Sequence, residues 1–146
     1  MKTALFALAA AAAIALPQYS SAADEGAEEK HPIDLKIGKL ADDANSTAES
    51  TDAYEQGLKL WDKELNRVYQ ELKKTLPEKS FAVLKDSQVQ WLAYRDAQIA
   101  FINSCYDQYD GTMYIPMRAS AIMEVTRSRA LELKHRLDVH KEAAIK

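Results

Sequence analysis

The chain has three histidines, His31, His135 and His140, which are the side chains best suited to bind a metal or to transfer a proton near neutral pH. On a helix the side chains of His135 and His140 point about 140° apart, so the two cannot bind one metal ion together. The sequence contains no glycine-rich phosphate loop, no GxSxG or HExxH motif and no pair of cysteines. We therefore predict no metal site, no cofactor and no catalytic residue.

The 22 acidic residues are the other candidates for chemistry, because an acid and base pair of the glycosidase type needs two carboxyl groups. Such a pair requires one carboxyl group in an apolar pocket. Nearly every Asp and Glu of this chain falls instead on the polar face of a predicted helix. We expect a protein that is not an enzyme.

Cys105 is the one cysteine of the chain. A single thiol cannot form an internal disulfide, so stability has to come from packing. We predict a buried free thiol, with a disulfide to a second chain as the alternative.

Two polar residues, Gln88 and Arg95, interrupt the apolar face of a predicted helix, on the same arc as Leu84 and Trp91. A guanidinium keeps its charge, so an inward Arg95 needs carboxylate or carbonyl partners. We predict a polar network between helices that fixes their register, in preference to a binding site. Partners are available on the second helix, beside Arg95 or on the last helix, and the full set is Asp62, Asn66, Gln88, Arg95, Asp96, Thr126 and Arg129.

The order of segments predicts an exported helical domain. Residues 1–22 have one cation, an uncharged apolar run and small residues at the end, which is typical of a signal peptide cleaved near Ala22. Residues 23–30 read as a disordered acidic leader, and residues 31–146 as a single domain. Only four Gly and four Pro occur in the chain, which favours an all-α fold.

Capping residues and prolines divide this domain into a short helix and three long antiparallel helices. The short helix begins at His31 and Pro32. Ser46 and Glu49 have capping-box spacing, and the following helix should run from Thr47 or Thr51 to Thr75. Pro77 ends that helix and opens the third, about residues 77–106. After a turn at 106–116, Pro116 can begin the last helix.

Charge and aromatic residues indicate where a partner would bind. Residues 23–50 hold 8 acids and 3 bases, whereas residues 116–146 hold 7 bases and 4 acids. Neither segment is dense enough in charge to indicate nucleic acid binding. Tyr109 and Tyr114 flank the turn at Asp110 and Gly111, and are the best candidates for exposed aromatic contacts, with packing within the loop as the alternative.

Four segments, in this order and spacing, resemble the LprI-like lysozyme-inhibitor domain family: WDKELNRVYQELKKTL (61–76), SQVQWLAYRDAQ (87–98), DGTM (110–113) and TRSRALEL (126–133). The matching residues of the first two are Trp61, Asp62, Leu65, Asn66, Tyr69, Gln88, Trp91, Arg95 and Asp96. Those of the last two are Gly111, Thr112, Thr126, Arg129 and Leu133. The resemblance covers about residues 31–137 and implies an exported α-helical domain, in a family whose founding member is assigned lysozyme inhibition.

One departure from the family concerns a cysteine pair. Members often carry two cysteines that join the region before NSTA to the helix before W-D, and the corresponding positions here are Lys39 and Ala53. The first helix is therefore expected to be held more loosely than in those members.

We expect a periplasmic or secreted protein that binds a protein partner, with lysozyme as the leading candidate. C-type lysozymes are basic with an acidic cleft, so acidic steering and an inserted loop would suit an inhibitor. The predicted contact residues are Asp107, Tyr109, Asp110, Thr112 and Tyr114. The alternative is an envelope structural or adaptor domain. Stable membrane insertion is not expected, because no segment after the signal is long and apolar enough. The oligomeric state is left open.

Overall fold

The computed structural model describes residues 30–145, which form four α-helices: α1 (Pro32–Asp42), α2 (Thr47–Thr75), α3 (Glu78–Tyr106) and α4 (Tyr114–Ala144). The prediction of an all-α bundle with one short and three long helices is confirmed. The predicted signal peptide, residues 1–22, lies outside the described residues, as does the leader up to residue 29. None of the described helices is long and apolar enough to cross a membrane.

Local capping explains where the first two helices begin. His31 Nδ1 accepts a hydrogen bond from the backbone N–H of Ile33 (3.2 Å), and Pro32 occupies the first turn, where its missing N–H costs nothing. Ser46 Oγ accepts from the N–H of Glu49 (3.2 Å), and the Glu49 carboxylate accepts from the N–H of Asn45 (2.6 Å). These bonds satisfy donors that the start of a helix leaves free.

The end of α2 and the start of α3 are set by Pro77. Leu76 has an extended backbone (φ −76°, ψ 145°), as the proline after it requires. The chain therefore reverses within two residues, and α3 runs back along the bundle.

The core lies mainly between α2 and α4, which run parallel to each other. Residue numbers increase in the same direction along the two helices. Trp61 contacts Arg127 near the middle of α2, whereas Glu71 and Thr75 near its end contact Lys141 and His140. The buried apolar residues are Ile37, Ala53, Trp61, Leu65, Val68, Leu72, Ile102, Met123, Ala130, Leu133 and Leu137. Nearly all of them belong to α2 and α4, so this pair carries most of the hydrophobic stabilisation.

The short helix α1 packs across this pair and is held by polar contacts at its start. Asp34 accepts two hydrogen bonds from Arg127 (2.9 and 2.8 Å), and the same guanidinium lies over the Trp61 ring (5.6 Å). The His31 ring stacks on Trp61 at a centroid distance of 4.6 Å. The Asp34–Arg127 ion pair and the His31–Trp61 ring contact thus anchor α1.

The third helix is much less buried than the other two long helices. It runs antiparallel to α4, with Asp107 beside Arg118 and Gln88 beside Arg129. Ile102 is the one buried residue of α3, and Trp91 is only half-buried. Tyr69 and Tyr106, which the sequence pattern also places in the core, are half-buried as well, because α3 lies along one edge of the α2–α4 pair.

Candidate protein-binding surface

The loop between α3 and α4 is organised by three tyrosines. Tyr109 lies between Tyr106 and Tyr114, with ring centroids 6.0 Å and 5.0 Å away. Gly111 has φ +120°, a conformation that residues with a side chain rarely adopt, so it permits the sharp turn. Backbone hydrogen bonds from Tyr109 N–H to the Tyr106 carbonyl (3.1 Å) and from Tyr114 N–H to the Gly111 carbonyl (3.3 Å) close the two halves of the loop. The loop therefore has a defined shape.

The outer surface of this loop combines apolar and polar groups. Tyr109 is 53% exposed and Met113 is 62% exposed. Asp110 and Thr112 are exposed beside them, whereas Tyr114 is half-buried under the Tyr109 ring. Such a mixture of a protruding aromatic ring with polar neighbours is common where proteins bind proteins.

Asp107, the first residue of the loop, is tied to the next helix. Its carboxylate accepts a hydrogen bond from Arg118 Nη1 at 3.2 Å, and both side chains are partly exposed. The pair joins the end of α3 to the first turns of α4. It restricts the loop but contributes little to stability, because solvent screens an exposed ion pair.

The acidic segment of the chain lies at the same end of the bundle as this loop. The starts of α2 and α4 and the end of α3 line a shared groove of about 660 Å³, whose charged residues are Glu55, Lys59, Asp107 and Arg118. Residues 42–55 contain five carboxylates and no Lys or Arg, and residues 107–113 contain two carboxylates and no Lys or Arg. We call residues 42–55 and 107–114 together the acidic end.

The opposite end of the bundle has the reverse charge. Residues 73–85, where α2 gives way to α3, contain four lysines and one acid. The last turns of α4 lie beside them, with His140 Nε2 3.0 Å from the Thr75 carbonyl oxygen. We call residues 73–85 the basic end. The protein is therefore electrically polarised along its length.

The structure places a buried polar network between α3 and α4, centred on Arg129. Arg129 Nε donates to Gln88 Oε1 (2.7 Å), and its Nη2 donates to Ser87 Oγ (2.9 Å). Its third partner is the Glu132 carboxylate (2.8 Å). Thr126 is buried one turn earlier on α4. Among the predicted network residues, Gln88 and Arg129 are therefore in direct contact.

Other predicted network members lie elsewhere. Arg95 donates to the neighbouring Asp96 (3.0 and 2.9 Å) and lies over the Trp91 ring (5.5 Å). Asn66 donates to Asp62 within α2, on the exposed surface (3.3 Å). The structure does not join these two pairs, because α3 leaves α2 near its start and Arg95 reaches the rim of the bundle instead of its interior.

The shifted pKa values belong to ion pairs on helix surfaces. The hydrogen bond from Arg67 lowers the pKa of Glu64, and the hydrogen bond from Lys141 lowers that of Glu71. Both carboxylates are held in the charged form, so neither is prepared to donate a proton near neutral pH. Within residues 30–145, no cluster of three or more His, Cys, Asp or Glu side chains is placed to hold a metal ion.

These features define a small helical protein with a shaped, acidic surface at one end. Comparison with known proteins gives its family: residues 39–133 match the family described as "Lysozyme inhibitor LprI", and the chain belongs to that family. This is a family of inhibitor domains and not of enzymes, and its members are typically exported.

A solved structure has the same fold. The chain is similar to an uncharacterised protein from Burkholderia thailandensis, whose crystal structure superposes with a TM-score of 0.71 at 29% sequence identity. The match covers 77% of this chain and 57% of the other. None of the curated proteins matches the chain.

Proposed function

We propose that this protein is an exported inhibitor that binds lysozyme-type muramidases through its acidic end. Family membership supports a lysozyme inhibitor-type binding protein. The observation that carries the proposal is the meeting, at one end of the bundle, of the loop at 107–114 with the acidic segment at 42–55. C-type lysozymes are basic, so this end has the complementary charge.

The acidic end provides both long-range attraction and a specific contact. These segments hold seven carboxylates and no Lys or Arg, and the nearby bases Lys59 and Arg118 offset only part of that charge. The remaining negative charge would steer a cationic enzyme toward this end and raise the association rate at low salt. The Tyr109 ring, supported by Tyr114, would supply the buried anchor of the complex. Asp110 and Thr112 lie beside that ring, where they can hydrogen-bond to the partner.

The loop is suited to enter a cleft because it is already ordered. The turn at Gly111, the three tyrosine rings in contact and the Asp107–Arg118 pair fix its shape before binding. A preorganised loop loses less conformational entropy on association than a flexible one. Binding should therefore block access of the cell wall to the enzyme without any chemical step.

The test is a cell-wall lysis assay with a purified basic C-type lysozyme and increasing amounts of this protein. Tyr109→Ala should weaken inhibition by roughly 30-fold, the effect of losing about 2 kcal/mol at an aromatic hot spot. Val89→Ala is the control, because Val89 is similarly exposed (61%) but lies on α3 away from the acidic end. Lack of inhibition by the unmodified protein at tens of micromolar would refute the proposal.

Export is the second part of the proposal. Residues 1–22 have the pattern of a signal peptide, and family members are typically exported. Terminal sequencing of the protein from the periplasm or medium should give a mature start close to Ala23. Recovery of the full chain in the cytoplasm would contradict it.

A further inference from the structure

Between residues 83 and 101, one exposed face of α3 has no charged residue. It is formed by residues that alternate at spacings of four and three and lie within about 80° of one another around the helix. All are exposed, and they are Val83, Ser87, Gln90, Tyr94, Ala97 and Phe101, which we call the α3 stripe. Its three large members are 57–70% exposed. A spacing of 3.5 residues is the pattern by which one helix packs along another.

We propose that the α3 stripe is the interface through which two copies of this chain form an antiparallel dimer. A second copy fits because the stripe is complementary to itself when reversed about Leu92. In that arrangement Val83 lies opposite Phe101 of the second copy, and Gln90 lies opposite its Tyr94. Ser87 lies opposite its Ala97 at the α4 side of the stripe, because the Ser87 Oγ also accepts a hydrogen bond from Arg129 of its own chain. Large apolar groups then meet at both ends, small ones meet between them, and an amide meets a phenol at the centre.

The charge distribution favours the antiparallel over the parallel arrangement. The acidic end lies at the C-terminus of α3 and the basic end at its N-terminus. Reversing one copy brings the acidic end of each molecule beside the basic end of the other. A parallel pair would instead place like charges together at both ends.

The size of the interface indicates a weak dimer. From Val83 to Phe101 the stripe is about 27 Å long, so a strip about 10 Å wide offers on the order of 270 Å² per molecule. This is smaller than the interfaces of stable complexes, so the association should be weak and reversible. A groove of about 540 Å³ between α3 and α4, lined by Trp91 and Tyr94, gives additional room for side chains of the second copy. We expect dissociation in the micromolar range.

Sedimentation equilibrium of the purified protein, from about 1 to about 500 µM, tests this interface. The unmodified protein should shift from monomer to dimer over this range. Val83→Glu, which places a charge in the apolar stripe, should raise the dissociation constant at least about tenfold. Val89→Glu is the matched control, because Val89 is similarly exposed (61%) on the same helix but lies outside the stripe.

Both valines are exposed, so circular dichroism should show the same folded state in the two variants. A monomer over the whole concentration range would overturn the proposal. Equal weakening by both substitutions would overturn it too, because the stripe would then not be the contact.

Cys105 provides a direct test of orientation. It lies 13 residues beyond Leu92, so spin labels on the two copies should be about 39 Å apart along an antiparallel pair. A parallel pair would hold them about 10 Å apart. Electron spin resonance distances near the longer value support the proposed arrangement, and distances near the shorter value exclude it.

Discussion

The buried guanidinium of Arg129 donates a hydrogen bond to Gln88, and this bond is a sensitive test of how α3 is attached. The Arg129 side chain is 9% exposed, and Gln88 Oε1 is 2.7 Å from its Nε. Gln88→Met removes this acceptor while keeping a similar length and a similar helix propensity. The variant therefore isolates one interhelical hydrogen bond.

The expected loss in the free energy of unfolding depends on the hydrogen-bond partners that Arg129 keeps. A hydrogen bond to a charged group contributes about 1.5–3 kcal/mol to the free energy of unfolding. Ser87 (2.9 Å) and Glu132 (2.8 Å) still accept from Arg129 in the variant, so the loss should lie at the lower end, about 1.5–2 kcal/mol. For a domain of this size that corresponds to a fall in Tm of roughly 6–8 °C.

The assay is urea unfolding of Gln88→Met, Arg129→Met and the double variant. Removing both partners should cost less than the sum of the single effects, with a coupling energy of at least about 1 kcal/mol. Arg95→Met serves as the control, because Arg95 hydrogen-bonds to the exposed neighbour Asp96 and lies over the Trp91 ring of its own helix, with no bond to another helix described. It should cost less than about 1 kcal/mol. Coupling within about 0.5 kcal/mol of zero, or a larger loss from Arg95→Met than from Arg129→Met, would refute this reasoning.

Three further predictions concern α1, the loop and pH. Asp34→Asn removes the charge that holds Arg127, so amide hydrogen exchange should rise in α1 and stay unchanged in α4. Gly111→Ala forces a side chain into φ +120° and should lower the free energy of unfolding by about 1 kcal/mol or more, measured by urea unfolding. The pKa of Glu71 is lowered in the folded state, so its contribution to stability is present above its usual pKa of 4.5 and is lost as the pH falls through the lower, folded value. Glu71→Gln should therefore flatten the fall in stability below about pH 4.5; an unchanged pH profile would contradict the assignment.

The helix boundaries could be predicted from sequence because local chemistry sets them. Ser46 and Glu49 form the predicted cap, and Pro77 separates α2 from α3 where expected. The last helix begins at Tyr114, two residues before Pro116, because a proline is accommodated anywhere in the first turn. Such signals depend on a few neighbouring residues and are therefore readable without the fold.

The partners of inward-facing polar residues could not be predicted in the same way. The helical pattern directs both Gln88 and Arg95 toward the core, but it does not reveal how closely α3 approaches α2. Gln88 accepts a hydrogen bond from Arg129, which is 41 residues away in sequence. Arg95 lies at the rim of the bundle and donates to its neighbour Asp96. A signal was present in α4, where Arg129 precedes the buried Ala130 and follows the buried Thr126 by one turn.

The meeting of the acidic segment with the loop follows from helix lengths. Both α2 and α3 contain 29 residues, so α3 returns the chain to the level at which α2 began. Residues 42–55 and 107–113 are distant in sequence but share one end of the bundle for that reason. Estimated lengths for the two helices would have sufficed to predict it.

The composition of α3 indicates that this helix contacts a second molecule as well as its own bundle. Of its 29 residues, 6 are charged, against 11 of 29 in α2, although α3 has fewer buried positions. A helix exposed to water on most of its surface usually carries more charge, not less, since exposed apolar area promotes association. Packing within one molecule does not explain the low charge of α3, because most of this helix is exposed. Burial of the α3 stripe against a second copy of the chain would explain it. Because the stripe ends at Phe101, six residues before Asp107, covering it does not require the residues of the loop.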